Sequence, residues 1–117
     1  MDAAEKAAIA HVEYTVYKEA LKSYDQVVTK ANFGKPAKQA IKKMIQLYGL
    51  SVMEDNLGFF LQEKYVAPGK SKAISQQINA LCWSIRPEAV ALVDSFDIPD
   101  LFLPPIAKGT WVEHNKF

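Results

Sequence analysis

The clearest structural signal in the chain runs Arg86-Pro87-Glu88-Ala89-Val90-Ala91-Leu92-Val93-Asp94-Ser95-Phe96-Asp97-Ile98-Pro99-Asp100. Pro87 suits the first position of a helix, where its missing N–H would have had no intrahelical partner. Glu88 then falls in the first turn, where the helix dipole favours a negative charge. Ala89, Val90, Leu92, Val93 and Phe96 follow at spacings that wrap apolar surface around most of the cylinder. Pro99 stops the helix, because the residue before a proline is driven out of the helical region. The segment is therefore predicted to be a short, almost wholly apolar helix, buried against other elements. Arg86 and Pro87 open it, and Asp94, Asp97 and Asp100 end it.

Upstream, the same helical period recurs. Residues 1 to about 30 read as one long helix with Asp2 as its cap. Ile9, Val12, Val16 and Ala20 form one apolar stripe, and Tyr14, Tyr17, Leu21, Tyr24 and Val28 form a neighbouring one. A face this wide predicts contact with two or more partners, with the tyrosine rings in a partly buried seam and their hydroxyls at its edge. Asn32-Phe33-Gly34-Lys35-Pro36 is a break. A second helix is expected from about Pro36 to Tyr48, with Ala37, Ala40, Ile41, Met44, Ile45 and Tyr48 facing inward. Gly49 marks its end or a weak point, since a helical Gly costs about 1 kcal/mol against Ala. Helix is expected again from Val52 to about Lys64. After the turn Tyr65-Val66-Ala67-Pro68-Gly69-Lys70, Ser71 is a suitable N-cap for a helix carrying Ile74, Ile78, Leu81, Cys82 and Ile85 on one side. Trp83 lies beside that stripe, at the margin of the core or against another domain. Beyond Leu103-Pro104-Pro105 the chain is expected to be irregular, because consecutive prolines cannot continue a helix. The predicted architecture is all-α: one domain over residues 1–117, a bundle of three to five helices with an irregular C-terminal tail.

The chain has 117 residues, half of them hydrophobic, and a formal net charge of +1. It is long enough for a single core, and no bulk field draws it to nucleic acid or anionic membranes. No apolar run approaches the ~18 residues of a membrane span. Lys35, Lys38, Lys42 and Lys43, with Lys64, Lys70 and Lys72, read as solvated faces. Cys82 is the single cysteine; on the apolar side of its helix it reads as a buried packing thiol. His11 and His114 lack partners at zinc spacing. Asp94, Asp97 and Asp100 lack the ligand alternation and glycine of a calcium loop, so they read as helix-ending residues. Glu54 and Asp55 are adjacent and point to different faces, so they do not converge for acid–base work. No phosphate loop or nucleophile elbow is present. The chemistry of the residues assigns no catalytic and no metal site.

The string Arg86 to Asp97 resembles the signature near the end of peroxisomal acyl-CoA oxidases, in their C-terminal helical domain. Leu47-Tyr48-Gly49-Leu50, Leu57-Gly58-Phe59-Phe60-Leu61 and Ile78 to Arg86 agree with that family in order. The chain departs from the pattern at Phe59, where a small or acidic residue is frequent. It departs again at Ile106 to Glu113, where the family often has Gly-Arg-Tyr-Asp-Gly-Asn-Val-Tyr. The resemblance implies a flavoenzyme that desaturates acyl-CoA with FAD and yields hydrogen peroxide. It also implies that the catalytic base lies outside this stretch, and no residue here is assigned that role. On this reading the chain supports a dimer and the walls of the substrate and flavin sites. Its partners are the remaining oxidase domains and a second subunit, and it binds no FAD alone. The resemblance implies a peroxisomal location, although Asn115-Lys116-Phe117 is not the Ser-Lys-Leu address. Trp83, Trp111 and Phe117 are candidate interdomain contacts, in an apolar run from Leu101 to Phe117 that either folds back on the bundle or covers another domain. Two other readings of the residues stand beside this one: a stand-alone helical interaction module, and a small acyl-CoA-binding bundle whose lysines meet phosphates.

Overall fold

A computed structural model describes residues 2–31 and 34–104. The expectations for Trp111, Phe117 and the tail from Pro105 onward fall outside these residues. The all-α prediction holds: the described residues form five α-helices, α1 (Ala3–Ser23), α2 (Lys35–Asp55), α3 (Leu57–Gln62), α4 (Pro68–Ile85) and α5 (Ala89–Asp94). A π-helical turn, Tyr24–Val28, extends α1, and 3-10 turns occupy Arg86–Glu88 and Asp100–Phe102. The chain divides into two compact units, Met1–Arg86 and Pro87–Phe117.

In the first unit α2 packs chiefly on α4, and α1 lies along α2. Ala40, Val66, Ile74 and Leu81 are its buried apolar residues. Ile78 and Ile85 sit half-buried beside Ile74 and Leu81, so the stripe read in α4 is the packed face. Cys82 is exposed, against expectation. At 3.6 residues per turn it lies roughly 70° from the centre of that stripe, too far round to be covered.

Helix α1 uses only part of its wide apolar face. Tyr17, Ala20, Tyr24 and Val28 are half-buried, whereas Ile9, Val12, Val16, Tyr14 and Leu21 are exposed. Asp2 occupies the N-cap position but its side chain makes no capping hydrogen bond. At the other end the Thr29 N–H donates to the Tyr24 carbonyl, and the Thr29 hydroxyl donates to the Asp25 carbonyl. The Lys38 ammonium donates to the Thr29 carbonyl at 3.3 Å. It thereby places a cation where the helix's unpaired carbonyls gather.

The expected interruption at Gly49 is absent, and α2 continues through it to Asp55. The glycine serves a close approach instead. A Cβ added there would lie 2.7 Å from Cε2 of Tyr17. Bare backbone at this position lets the tyrosine ring of α1 sit directly on α2. The interruption falls at Asn56, whose side-chain amide donates to the Val52 carbonyl at 2.9 Å and whose φ is −113°. The Val52 carbonyl is shared between this amide and the Asn56 backbone N–H, which donates to it at 3.2 Å, while the Asn56 φ takes the backbone out of the helical run.

Helix α3 ends in a Schellman motif with an unusual residue at its pivot. The Tyr65 N–H donates to the Phe60 carbonyl at 2.9 Å and the Lys64 N–H to the Leu61 carbonyl at 3.2 Å. Lys64, at φ 61°, holds the left-handed position that glycine usually fills. The rings of Phe60 and Tyr65 meet edge to face at 6.3 Å, which is the apolar contact such a motif carries. Helix α4 then starts at Pro68, three residues before the expected cap Ser71. Proline's preset φ makes it the natural first residue. The Ser71 hydroxyl donates to the Pro68 carbonyl inside the first turn.

In the second unit the signature helix departs from its reading. Arg86, Pro87 and Glu88 form a 3-10 turn, α5 begins only at Ala89, and it ends at Asp94, well before Pro99. Asp97 has φ 51°, and its N–H donates to the Asp94 carbonyl at 3.0 Å. Aspartate tolerates this left-handed conformation better than most residues, which stops the helix before the proline is reached. The predicted burial is also overturned. Val90, Val93 and Phe96 are 71%, 63% and 70% exposed, and Leu92 is half-buried. A six-residue helix accompanied by short turns has too little apolar surface opposite it to cover these side chains.

Three stability changes follow from the glycine and lysine positions. Gly49→Ala should lower the urea midpoint, because displacing the Tyr17 ring costs about 1–3 kcal/mol against a propensity gain of about 1 kcal/mol. Gly58→Ala, where an added Cβ meets nothing within 4 Å, should raise it by up to about 1 kcal/mol. Equal, stabilising effects at both sites would refute the close approach. Lys64→Gly should raise the thermal midpoint by the equivalent of about 0.5–1 kcal/mol, since it relieves the left-handed strain.

Candidate interaction surface

The first unit presents an aromatic and cationic patch near the end of α4. Trp83 is 70% exposed. The guanidinium of Arg86 lies over its ring, 5.1 Å from the centroid. One helical turn separates the two residues, and this spacing brings them onto the same face. Such a cation–π pair holds the indole in place at an exposed site for about 0.5–1 kcal/mol. With Cys82 they line a shallow depression open to solvent. Tryptophan and arginine are the residue types that most often anchor protein interfaces.

A second aromatic cluster forms where α3 turns into α4. Phe59 is exposed, with its ring centroid 5.8 Å from that of Phe60 and 6.3 Å from that of Tyr65. Beside it, Leu50, Met53, Tyr65, Val66, Lys70 and Ile74 contribute to an open groove between α2 and α4. The Ser75 hydroxyl donates to the Glu54 carboxylate at 3.1 Å, joining the two helices at the surface. Glu54 is thereby engaged in a structural contact.

The second unit carries the other apolar surface. Val90, Val93, Phe96, Ile98, Leu101 and Phe102 are all exposed. Asp94 and Asp97 are exposed among them. The Ser95 hydroxyl donates back to the Leu92 carbonyl at 2.6 Å, so it serves the helix end. Asp100 opens the last 3-10 turn. Of the residues singled out in the sequence, Arg86 and Trp83 are brought together, and Asp94, Phe96 and Asp97 share one short segment. Sequence reasoning did not find Phe59 and Tyr65 as a surface pair. The Phe-Phe dipeptide followed by Tyr65 was the available signal, and the pairing depended on a turn at Lys64.

Among the described residues no group of three or more His, Cys, Asp or Glu side chains could hold a metal ion. No buried side-chain nitrogen or oxygen lacks a hydrogen-bond partner there. The depression at Trp83 and the groove between α2 and α4 are both open to solvent. No described helix is long and apolar enough to cross a membrane.

The described helices therefore carry broad exposed apolar faces. The family model described as acyl-CoA oxidase matches residues 3–105, and the chain belongs to the acyl-CoA oxidase family. It is 33% identical over 98 residues to a putative peroxisomal acyl-coenzyme A oxidase 1.2 of Arabidopsis thaliana. It is 32% identical over 98 residues to the peroxisomal acyl-coenzyme A oxidase 1 of Bos taurus. Each alignment covers 84% of this chain and 14% of the relative. Acyl-coenzyme A oxidase 1 of Yarrowia lipolytica is 30% identical over 66 residues, which is 56% of this chain and 10% of that protein. No solved structure matches the chain.

Exposure separates the surface residues from the core in a measurable way. Val93→Asp and Phe96→Ser should each change the stability of the helical body by less than about 0.5 kcal/mol. Ile74→Ala, at a buried position, should cost about 2–4 kcal/mol. The Val93→Asp/Phe96→Ser double variant should also bind less of an apolar-surface dye. Unfolding curves that show Phe96→Ser to be as costly as Ile74→Ala would contradict the exposed arrangement.

Proposed function

We propose that this chain is the C-terminal helical domain of an FAD-dependent acyl-CoA oxidase, and that it acts as one scaffold within the larger enzyme. The whole enzyme converts acyl-CoA to trans-2-enoyl-CoA in fatty acid β-oxidation. The flavin supplies the acceptor for the hydride, and its reoxidation by oxygen yields hydrogen peroxide. This domain contributes surface rather than chemistry: it supports the dimer and forms part of the walls around the substrate and flavin sites. The observation that carries the reading is the exposed apolar segment at Val90, Val93 and Phe96, in a chain that aligns with only 14% of the length of the Arabidopsis and bovine relatives. A contiguous exposed apolar patch marks an interaction site. The remaining oxidase domains and a second subunit are the partners this reading supplies. The peroxisome is the proposed location, in line with the names of the relatives.

A stand-alone interaction module is the second reading, and the Trp83–Arg86 patch favours it to the extent that it can anchor an unrelated protein. An oxidase-like region upstream in the same reading frame separates the two. The small acyl-CoA-binding bundle predicts heat on mixing the isolated chain with palmitoyl-CoA, and a flat titration removes it.

The isolated chain should be colourless and should release no peroxide from palmitoyl-CoA. A yellow flavin copurifying with it would overturn the division of labour. In the full-length enzyme, Phe96→Asp should lower activity or dimer content roughly tenfold or more, because an unpaired carboxylate in an apolar contact costs several kcal/mol. Wild-type activity and assembly in that variant would remove Phe96 from the interface.

A further inference from the structure

We draw no further inference here: the strongest candidate, the exposed acidic and apolar segment of residues 89–102 with Val90, Val93, Phe96, Leu101 and Phe102 uncovered, carries nothing beyond the proposal above, because nothing in the structure shows what covers it.

Discussion

Apolar surface in excess of what the described helices can cover is the constraint that shapes this molecule. Half of the residues are hydrophobic, yet among the described residues the buried apolar ones are Ala40, Val66, Ile74 and Leu81. Two of these, Ile74 and Leu81, lie on α4, and Ala40 lies on the α2 helix packed against it. Helix α1 adds Tyr17 through the bare backbone of Gly49. The contact is close because a side chain is missing there, not because the surfaces are large. The driving force for folding scales with apolar area removed from water, so much of it is still available on Ile9, Val12, Val16, Val90, Val93 and Phe96.

The helices were legible from periodicity, and so were the breaks before Pro36 and Pro68, whereas those at Asn56 and Asp97 were not. Ile74, Ile78, Leu81 and Ile85 gave α4 its packed face directly. The breaks followed local hydrogen-bond chemistry that outweighed residue propensity. Gly49 is a poor helix former on its own, but α2 runs through it with the Tyr17 ring against its backbone. Asn56, which no periodicity marks, leaves the helical conformation at φ −113° while its side-chain amide shares the Val52 carbonyl with its own N–H. Lys64 holds a left-handed turn because two backbone hydrogen bonds and the Phe60–Tyr65 contact fix it there. In each case a contact between residues a few positions apart or on different helices decided the outcome, and a single-residue scale does not contain such contacts.

The candidate surface was half legible for a related reason. The signature string identified the family, and family membership follows from a match across residues 3–105. The same string misjudged burial. An all-round apolar helix records that its surroundings are apolar, without recording which chain supplies them. Val90 and Phe96 were read as a core of this chain, whereas among the described residues they face outward. Trp83 was left open between margin and contact, and its exposure under the Arg86 guanidinium places it at the surface.

The acids of the last segment explain how such a surface avoids being merely sticky. Asp97 ends α5 by adopting the left-handed conformation, so the helix stays too short to offer a continuous apolar seam. Asp94 and Asp97 stand exposed among Val90, Val93 and Phe96, where each apolar group has a charge within a turn or so of chain. Charges interspersed in this way oppose nonspecific association, since a wrong partner must desolvate a carboxylate without compensating it. Asp97, read from the sequence as a simple helix stop, ends the helix through its left-handed backbone, and the exposed carboxylates of Asp94 and Asp97 set charge beside the apolar side chains.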